Sequence, residues 1–146
     1  MLAIYYFILY KYINIPQMIN KNKLVLFLIS SVILLVVDGL YLYHVGISIF
    51  KANVELIQKA PLKANVYGAF LSYVCVIGAL NYFIILQNKS PFDAFILGIF
   101  LYGVFDMTNV AMFTKYSWKT AIFDTFWGGK LFAFTAWATY KLVEML

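Results

Sequence analysis

The sequence predicts an all-α integral membrane protein, a bundle of four transmembrane helices, and two observations lead to this prediction. First, 64% of the 146 residues are hydrophobic and only 12% are charged, whereas soluble domains usually carry about 25% charged residues. Second, the apolar residues fall into four runs, each close to the ~20 residues that a helix needs to cross a bilayer. So few charged side chains would not cover a water-exposed surface, which excludes a soluble globular protein.

The predicted spans cover residues 24–43, 64–86, 92–113 and 120–143. Lysines precede the first span and tyrosines close it, as is usual at a membrane surface. Short connections at 87–91 and 115–119 make the last three helices antiparallel neighbours. Between the first two spans, apolar residues at helical spacing within 44–63 predict a short helix on the membrane surface. We therefore expect one four-helix domain, 24–146, with both termini on the same side.

Residues 1–23 are predicted to be an N-terminal interfacial extension. The segment Met1–Ile13 is apolar but too short to span, and it lacks the basic start and small-residue cleavage site of a signal peptide. Its tyrosines are suited to the headgroup region. Met18 is an alternative start, because the residues that follow it are typical of the opening of a bacterial membrane helix.

The net charge is +5, and all eleven basic residues are lysines. They lie between apolar runs and do not gather on one face with aromatic residues, which argues against nucleic-acid binding. The expected partners are the lipid bilayer and either further copies of the chain or the helices of other membrane proteins. The lysines divide evenly between the two membrane faces, so the sequence predicts neither orientation nor which membrane (cell, organelle or virion) holds the protein.

No recognisable metal, cofactor or hydrolase motif is present in the sequence. The chain has one cysteine, Cys75, and one histidine, His44, which is too few for a zinc site of the usual kind. No Ser-His-Asp set, phosphate-binding glycine loop or HExxH motif occurs. We therefore expect no cofactor, and the balance is against an enzyme. In the second span, Ala64, Gly68, Ser72 and Cys75 share one face and predict close packing against a neighbouring helix.

Three aspartates, Asp38, Asp106 and Asp124, fall inside predicted spans. Ionisable residues there each cost roughly 2.5–3.5 kcal/mol on insertion scales. Because the chain reverses direction between spans, all three are expected at a similar depth, ~7–12 Å below one surface. They predict a buried polar cluster that forms either an ion or proton site or a structural lock. Its other expected members are Asn109, Tyr102, Thr108 and Trp127, with Lys130 as a counter-charge that would either pair with Asp106 or snorkel along its own helix.

Two late motifs resemble a known family. They are YGVFDMTN at 102–109 and DTFWG at 124–128, with Trp118 between them. Together with the aspartate of the first span, Tyr73 and Gly98, they resemble the membrane proteins grouped as domain of unknown function 2177, over about residues 24–142. The resemblance implies a four-helix membrane protein and brings no established activity.

Three functions are compatible with these observations. The first hypothesis is a structural or accessory subunit of a membrane or a membrane-containing assembly, with the acidic cluster locking the bundle. The second is a proton or cation channel or carrier that uses the three aspartates. The third is a lipid-modifying membrane enzyme that works from the same pocket.

Overall fold

The computed structural model describes residues 22–146, and this part of the chain is helical with no strand. The predicted extension 1–23 lies outside the described residues except for its last two. The elements in chain order are α1 (Lys23–Tyr41), a π-helical segment (Leu42–Gly46), α2 (Ile47–Gln58), α3 (Val66–Phe83), a 3₁₀ turn (Ile85–Gln87), α4 (Pro91–Met112) and α5 (Trp118–Glu144).

The first helix does not end near residue 43, as the sequence suggested, but continues through the π-helical segment into α2. The backbone dihedral angles of Gly46 are those of a right-handed helix, so no loop separates the two helices there. The helix ends only at Lys59, which adopts a left-handed conformation (φ 53°) shortly before Pro61. The predicted helix within 44–63 is therefore present, but as a direct continuation of α1. The joined helix of 36 residues is ~54 Å long and exceeds the ~30 Å hydrocarbon core.

Side-chain caps start each of the four long helices. Asn22 accepts from the Leu24 amide at 3.0 Å, and Asn65 accepts from the Gly68 amide at 3.1 Å. Ser90 and Asp93 form a reciprocal capping box, with Pro91 at the first helical position. Ser117 accepts from the Thr120 amide at 3.3 Å. These caps satisfy amides that would otherwise lack partners at the helix starts.

Glycines bring α4 and α5 into backbone contact. A Cβ placed on Gly98 would lie 2.3 Å from the carbonyl oxygen of Gly128, and one on Gly128 would lie 2.2 Å from the Tyr102 ring. Neither position has room for a side chain. The closest approach of two helix backbones at these glycines therefore joins α4 to α5.

The small-residue face predicted on the second span does not contact a neighbouring helix. Ala64, Gly68, Ser72 and Cys75 are all exposed, and a Cβ on Gly68 would meet only Asn65 of its own turn, at 3.8 Å. All residues from 61 to 72 are exposed, so the small residues there are not covered by a neighbouring helix.

Three helices are long and apolar enough to cross a membrane: Lys23–Gln58, Val66–Gln87 and Pro91–Met112. With 27 residues α5 is long enough, but it is less apolar. It is also the central helix, with eleven buried residues against five in α1 and three in α4. Because protein surrounds much of α5, it needs less apolar surface than a lipid-facing helix. That α5 crosses the membrane stays a prediction. Its close packing against α4, which is long and apolar enough to cross, favours this prediction.

Candidate functional site

Asp38 joins three helices through two hydrogen bonds. Its carboxylate accepts from the Tyr73 hydroxyl of α3 at 2.7 Å and from the Trp127 indole of α5 at 2.9 Å. The Trp127 ring is stacked on Tyr41, one turn further along α1, with centroids 3.9 Å apart. Asp38 is 6% exposed, so both bonds lie in a setting where a lost partner is not replaced by water. The arrangement ties α1, α3 and α5 together.

Asp106 is fully buried and connects α4 to α5 and to the loop that precedes α5. Its carboxylate accepts from the Tyr116 hydroxyl at 3.1 Å and from the Thr125 hydroxyl at 3.2 Å. Burial, and then the neighbouring Asp106 charge, raise the pKa of Tyr116 above its ordinary value. The phenol is therefore a protonated donor at neutral pH.

Asp124 differs from the other two acids. It is only 6% exposed, yet its carboxylate accepts no hydrogen bond from any residue within 22–146. Asp106 and Asp38 are both close enough to interact with it electrostatically. The structure thus brings the three acids into one neighbourhood and leaves one of them without a donor.

The other residues predicted for the cluster differ in whether they contact the aspartates. Trp127 donates to Asp38, as described, and the half-buried Asn109 interacts with the Tyr116 hydroxyl. Tyr102 is half-buried near Asp38 and Asp124, but no described residue hydrogen-bonds with its hydroxyl. Thr108 is exposed, so it lies outside the cluster that it was expected to join.

Lys130 does not pair with Asp106. It is exposed, and the one ion pair formed within residues 22–146 joins Lys141 to Glu144, at 2.9 Å. Asp106 faces α5 through Thr125 instead. The 100° turn per residue of an α-helix separates positions 125 and 130 by about 140°, so Lys130 points elsewhere.

The donors that hold the acids were largely missed in the sequence. Tyr73 was noted only through the family resemblance, while Tyr116 and Thr125 were not considered. Thr125 lies next to Asp124 in the chain, and Tyr116 lies in a loop whose return toward the bundle is set by tertiary structure. Only the spacing of ten residues between Asp106 and Tyr116, across a short loop, offered a signal.

Asn53 attaches α2 to the start of α5. Its side-chain oxygen accepts from the Ser117 amide at 3.2 Å, and Asn53 is 6% exposed. Its side-chain nitrogen is buried without a hydrogen-bond partner. This contact places α2 over the same end of the bundle as the acids.

Replacing Tyr116 with phenylalanine should lower the free energy of unfolding by about 0.5–1.5 kcal/mol. The substitution removes the hydrogen bond that the Tyr116 hydroxyl donates to the buried Asp106 carboxylate. Denaturant unfolding in detergent micelles measures the change. Tyr67→Phe is the matched control, since Tyr67 is 84% exposed and makes no hydrogen bond within the described chain. Equal effects of the two substitutions would contradict a specific role for the Tyr116 hydroxyl.

A cavity of about 380 Å³ opens between α3 and α4, and Asp124 lines it. Its other lining residues are Ser72, Cys75 and Val76 of α3 and Leu101, Tyr102 and Phe105 of α4. The first half of α3 is poorly covered by the other helices, and Phe70 is 64% and Leu71 61% exposed.

A second, larger groove of about 590 Å³ lies between α1 and α5. It is almost wholly apolar, and Lys130 is the one charged residue among those lining it: Val37, Leu40, Tyr41, Val45, Trp127, Lys130, Leu131 and Phe134. The groove and the cavity share no lining residue, so they are separate surfaces.

Comparison with known families identifies one match. Residues 23–141 match the predicted membrane proteins grouped as domain of unknown function 2177. The chain belongs to this family. The matched region includes all three aspartates and every described helix except the last residues of α5, and it confirms the resemblance inferred from the motifs. Membership and the three apolar helices together establish an integral membrane protein. Comparison with curated proteins finds no match, and comparison with solved structures finds none either.

Proposed function

We propose that this protein is an accessory or structural subunit of a larger membrane assembly, which it joins through the face of α5 that carries Lys130. The observation that supports this proposal is an exposed lysine far from either end of its helix. Lys130 is twelve residues after Trp118 and fourteen before Glu144, or ~18 and ~21 Å along the axis. With α5 crossing the bilayer, Lys130 lies near the middle of the hydrocarbon core, deeper than a lysine side chain can span to reach either surface.

The chain provides no acid to neutralise Lys130. All six acidic residues lie within 22–146, and residues 1–21 contain none. The one ion pair formed among residues 22–146 joins Glu144 to Lys141. A charge at the centre of a bilayer costs roughly 2.5–3.5 kcal/mol or more. A partner chain that offers a carboxylate at the same depth removes that cost.

The groove beside Lys130 is suited to a transmembrane helix. Its apolar lining matches an apolar helix surface, and the lysine selects a helix with an aspartate or glutamate near mid-span. A second copy of this chain offers no such acid, because Asp38, Asp106 and Asp124 are at most 6% exposed. The preferred partner is therefore a different membrane protein.

Replacing Lys130 with methionine should release the chain from its assembly, because the ionic contact is lost while the length of the side chain is kept. The test is native electrophoresis of membranes solubilised in a mild detergent. The wild-type chain is expected in a complex well above its own 16.8 kDa, and the Lys130→Met chain is expected at the monomer position.

Lys141→Met is the matched control on the same helix. Lys141 is exposed near the helix end, so its replacement should leave the complex intact. A wild-type chain that migrates as a monomer, or a Lys130→Met chain that stays in the complex, would contradict the proposal.

The other two hypotheses receive less support from the geometry. Asp38 and Asp106 each accept two hydrogen bonds, which suits a lock between helices better than a pathway for ions. Within the described residues, no group of three His, Cys, Asp or Glu side chains is placed to hold a metal ion. Of the three buried aspartates, Asp124 is the one that accepts no hydrogen bond from the described residues.

A further inference from the structure

We propose that the cavity between α3 and α4 is a binding site for a single-chain lipid amine, whose primary ammonium group is held by Asp124. The inference is independent of the assembly proposed above, because it concerns a different surface. Asp124 is buried, lines the cavity and lacks a hydrogen-bond donor from residues 22–146. A buried carboxylate without a partner is unfavourable in a low-dielectric setting, and a cationic ligand corrects this.

Other groups around Asp124 suit the three N–H donors of a primary ammonium. Tyr102 lines the cavity, and its hydroxyl hydrogen-bonds with no described residue. The Ser72 hydroxyl donates to the Ala69 carbonyl at 2.8 Å, which leaves the lone pairs of its oxygen free to accept. Three of the residues that line the cavity, Asp124, Tyr102 and Ser72, therefore carry oxygen atoms that can accept a hydrogen bond. The rings of Tyr102 and Phe105 add aromatic surface of the kind that attracts organic cations.

The walls and the position of the cavity define the rest of the ligand. Val76, Leu101 and Phe105 are apolar, and Phe105 is 58% exposed at the rim, so a hydrocarbon chain can leave toward the lipid. A cavity of about 380 Å³ is at the small end of the range for ligand sites, which suits one chain. No basic residue lines it, so a lipid with a phosphate group has no counter-charge there.

The site lies at a depth that a lipid amine reaches. Asp124 and Ser72 are each six residues from the start of their helices, or ~9 Å along the axis. Both starts face the same end of the bundle. The ammonium group thus enters from near the headgroup level while its chain extends toward the bilayer centre.

The test uses dodecylamine and the full chain purified in a non-ionic detergent, with bound amine counted by native mass spectrometry. One dodecylamine per chain is expected. Asp124→Asn should weaken its binding at least tenfold, since the charge is lost and the shape is kept. Dodecanol and dodecanoate should bind at least tenfold more weakly than the amine to the wild-type chain.

A second pair of variants keeps the test decisive if Asp124→Asn does not fold. Ser72→Phe adds bulk at an exposed position of the cavity wall and should abolish dodecylamine binding. Val74→Phe adds similar bulk to the same helix at a 52% exposed position outside the cavity and should leave binding unchanged. Equal binding by Ser72→Phe and Val74→Phe, undiminished binding by Asp124→Asn, or equal binding of dodecanol and dodecylamine would overturn the proposal.

Discussion

Replacing Gly98 with alanine is expected to destabilise the protein by about 3 kcal/mol or more, or to prevent it from folding. The new methyl group would lie 2.3 Å from the Gly128 carbonyl oxygen and 2.9 Å from the Gly129 Cα. Overpacking usually costs ~1–3 kcal/mol, and here the obstacle is backbone, which cannot rotate away. The helices α4 and α5 would have to separate, which would also move Asp106 away from Thr125. Unfolding in detergent, followed by circular dichroism, measures the loss.

Two other glycines provide controls for the Gly98 substitution. A methyl group on Gly78 would meet nothing within 4 Å, and one on Gly103 would lie 3.5 Å from the Thr125 methyl group, an ordinary contact. Gly78→Ala and Gly103→Ala should therefore be neutral, or stabilising by up to ~1 kcal/mol, because alanine favours a helix. If Gly98→Ala behaved like these two, the close contact between α4 and α5 would be wrong.

Replacing Asp38 with alanine is expected to lower the free energy of unfolding by about 2–3 kcal/mol. The substitution removes two hydrogen bonds to a carboxylate and leaves the Tyr73 hydroxyl and the Trp127 indole without a partner. Measured hydrogen bonds between membrane helices average about 0.6 kcal/mol each, and unpaired buried donors add about 1–3 kcal/mol. The effect should appear as a lower denaturant midpoint.

A double-mutant cycle separates this effect from simple loss of packing. If Asp38 acts through Tyr73, then Tyr73→Phe should destabilise the wild-type chain but have little further effect in the Asp38→Ala chain. Additive effects of the two substitutions would show that the hydrogen bond contributes nothing. Asp93→Ala is a useful comparison, because that acid is also bonded, but only within its own helix start.

The bundle was predictable from the sequence because hydrophobic runs, caps and short loops are local signals. Ser90–Pro91 marks the start of α4, and the structure places the start there. The break after Tyr43 was predicted wrongly because polar residues suggested a loop, although no residue before Pro61 forces the helix to end. The sequence shows that Gly98 lacks a side chain. It does not show that the Gly128 backbone occupies that space, because this contact depends on how α4 and α5 cross.

The acids illustrate the same division between depth and direction. Depth is predicted by counting residues along a helix, and Asp38 and Asp106 lie close enough to Asp124 to interact with it electrostatically. Direction depends on how each helix is rotated about its axis, which the sequence does not specify. For that reason the sequence predicts Thr108 in the cluster and leaves Lys130 either paired with Asp106 or extended along its helix. The structure exposes both side chains, and Lys130 forms no ion pair with a described residue.

The joined helix α1–α2 is hydrogen-bonded to α5 and its N-cap at two positions. Asp38 accepts from the Trp127 indole, and Asn53 accepts from the Ser117 amide. These attachment points are fifteen residues apart on one helix and ten on the other, or ~22 and ~15 Å. Lengthwise sliding of α5 would have to break both attachments at once. The position of α5 along the joined helix is thereby fixed, so Lys130 and Asp124 keep constant positions along the axis of the bundle.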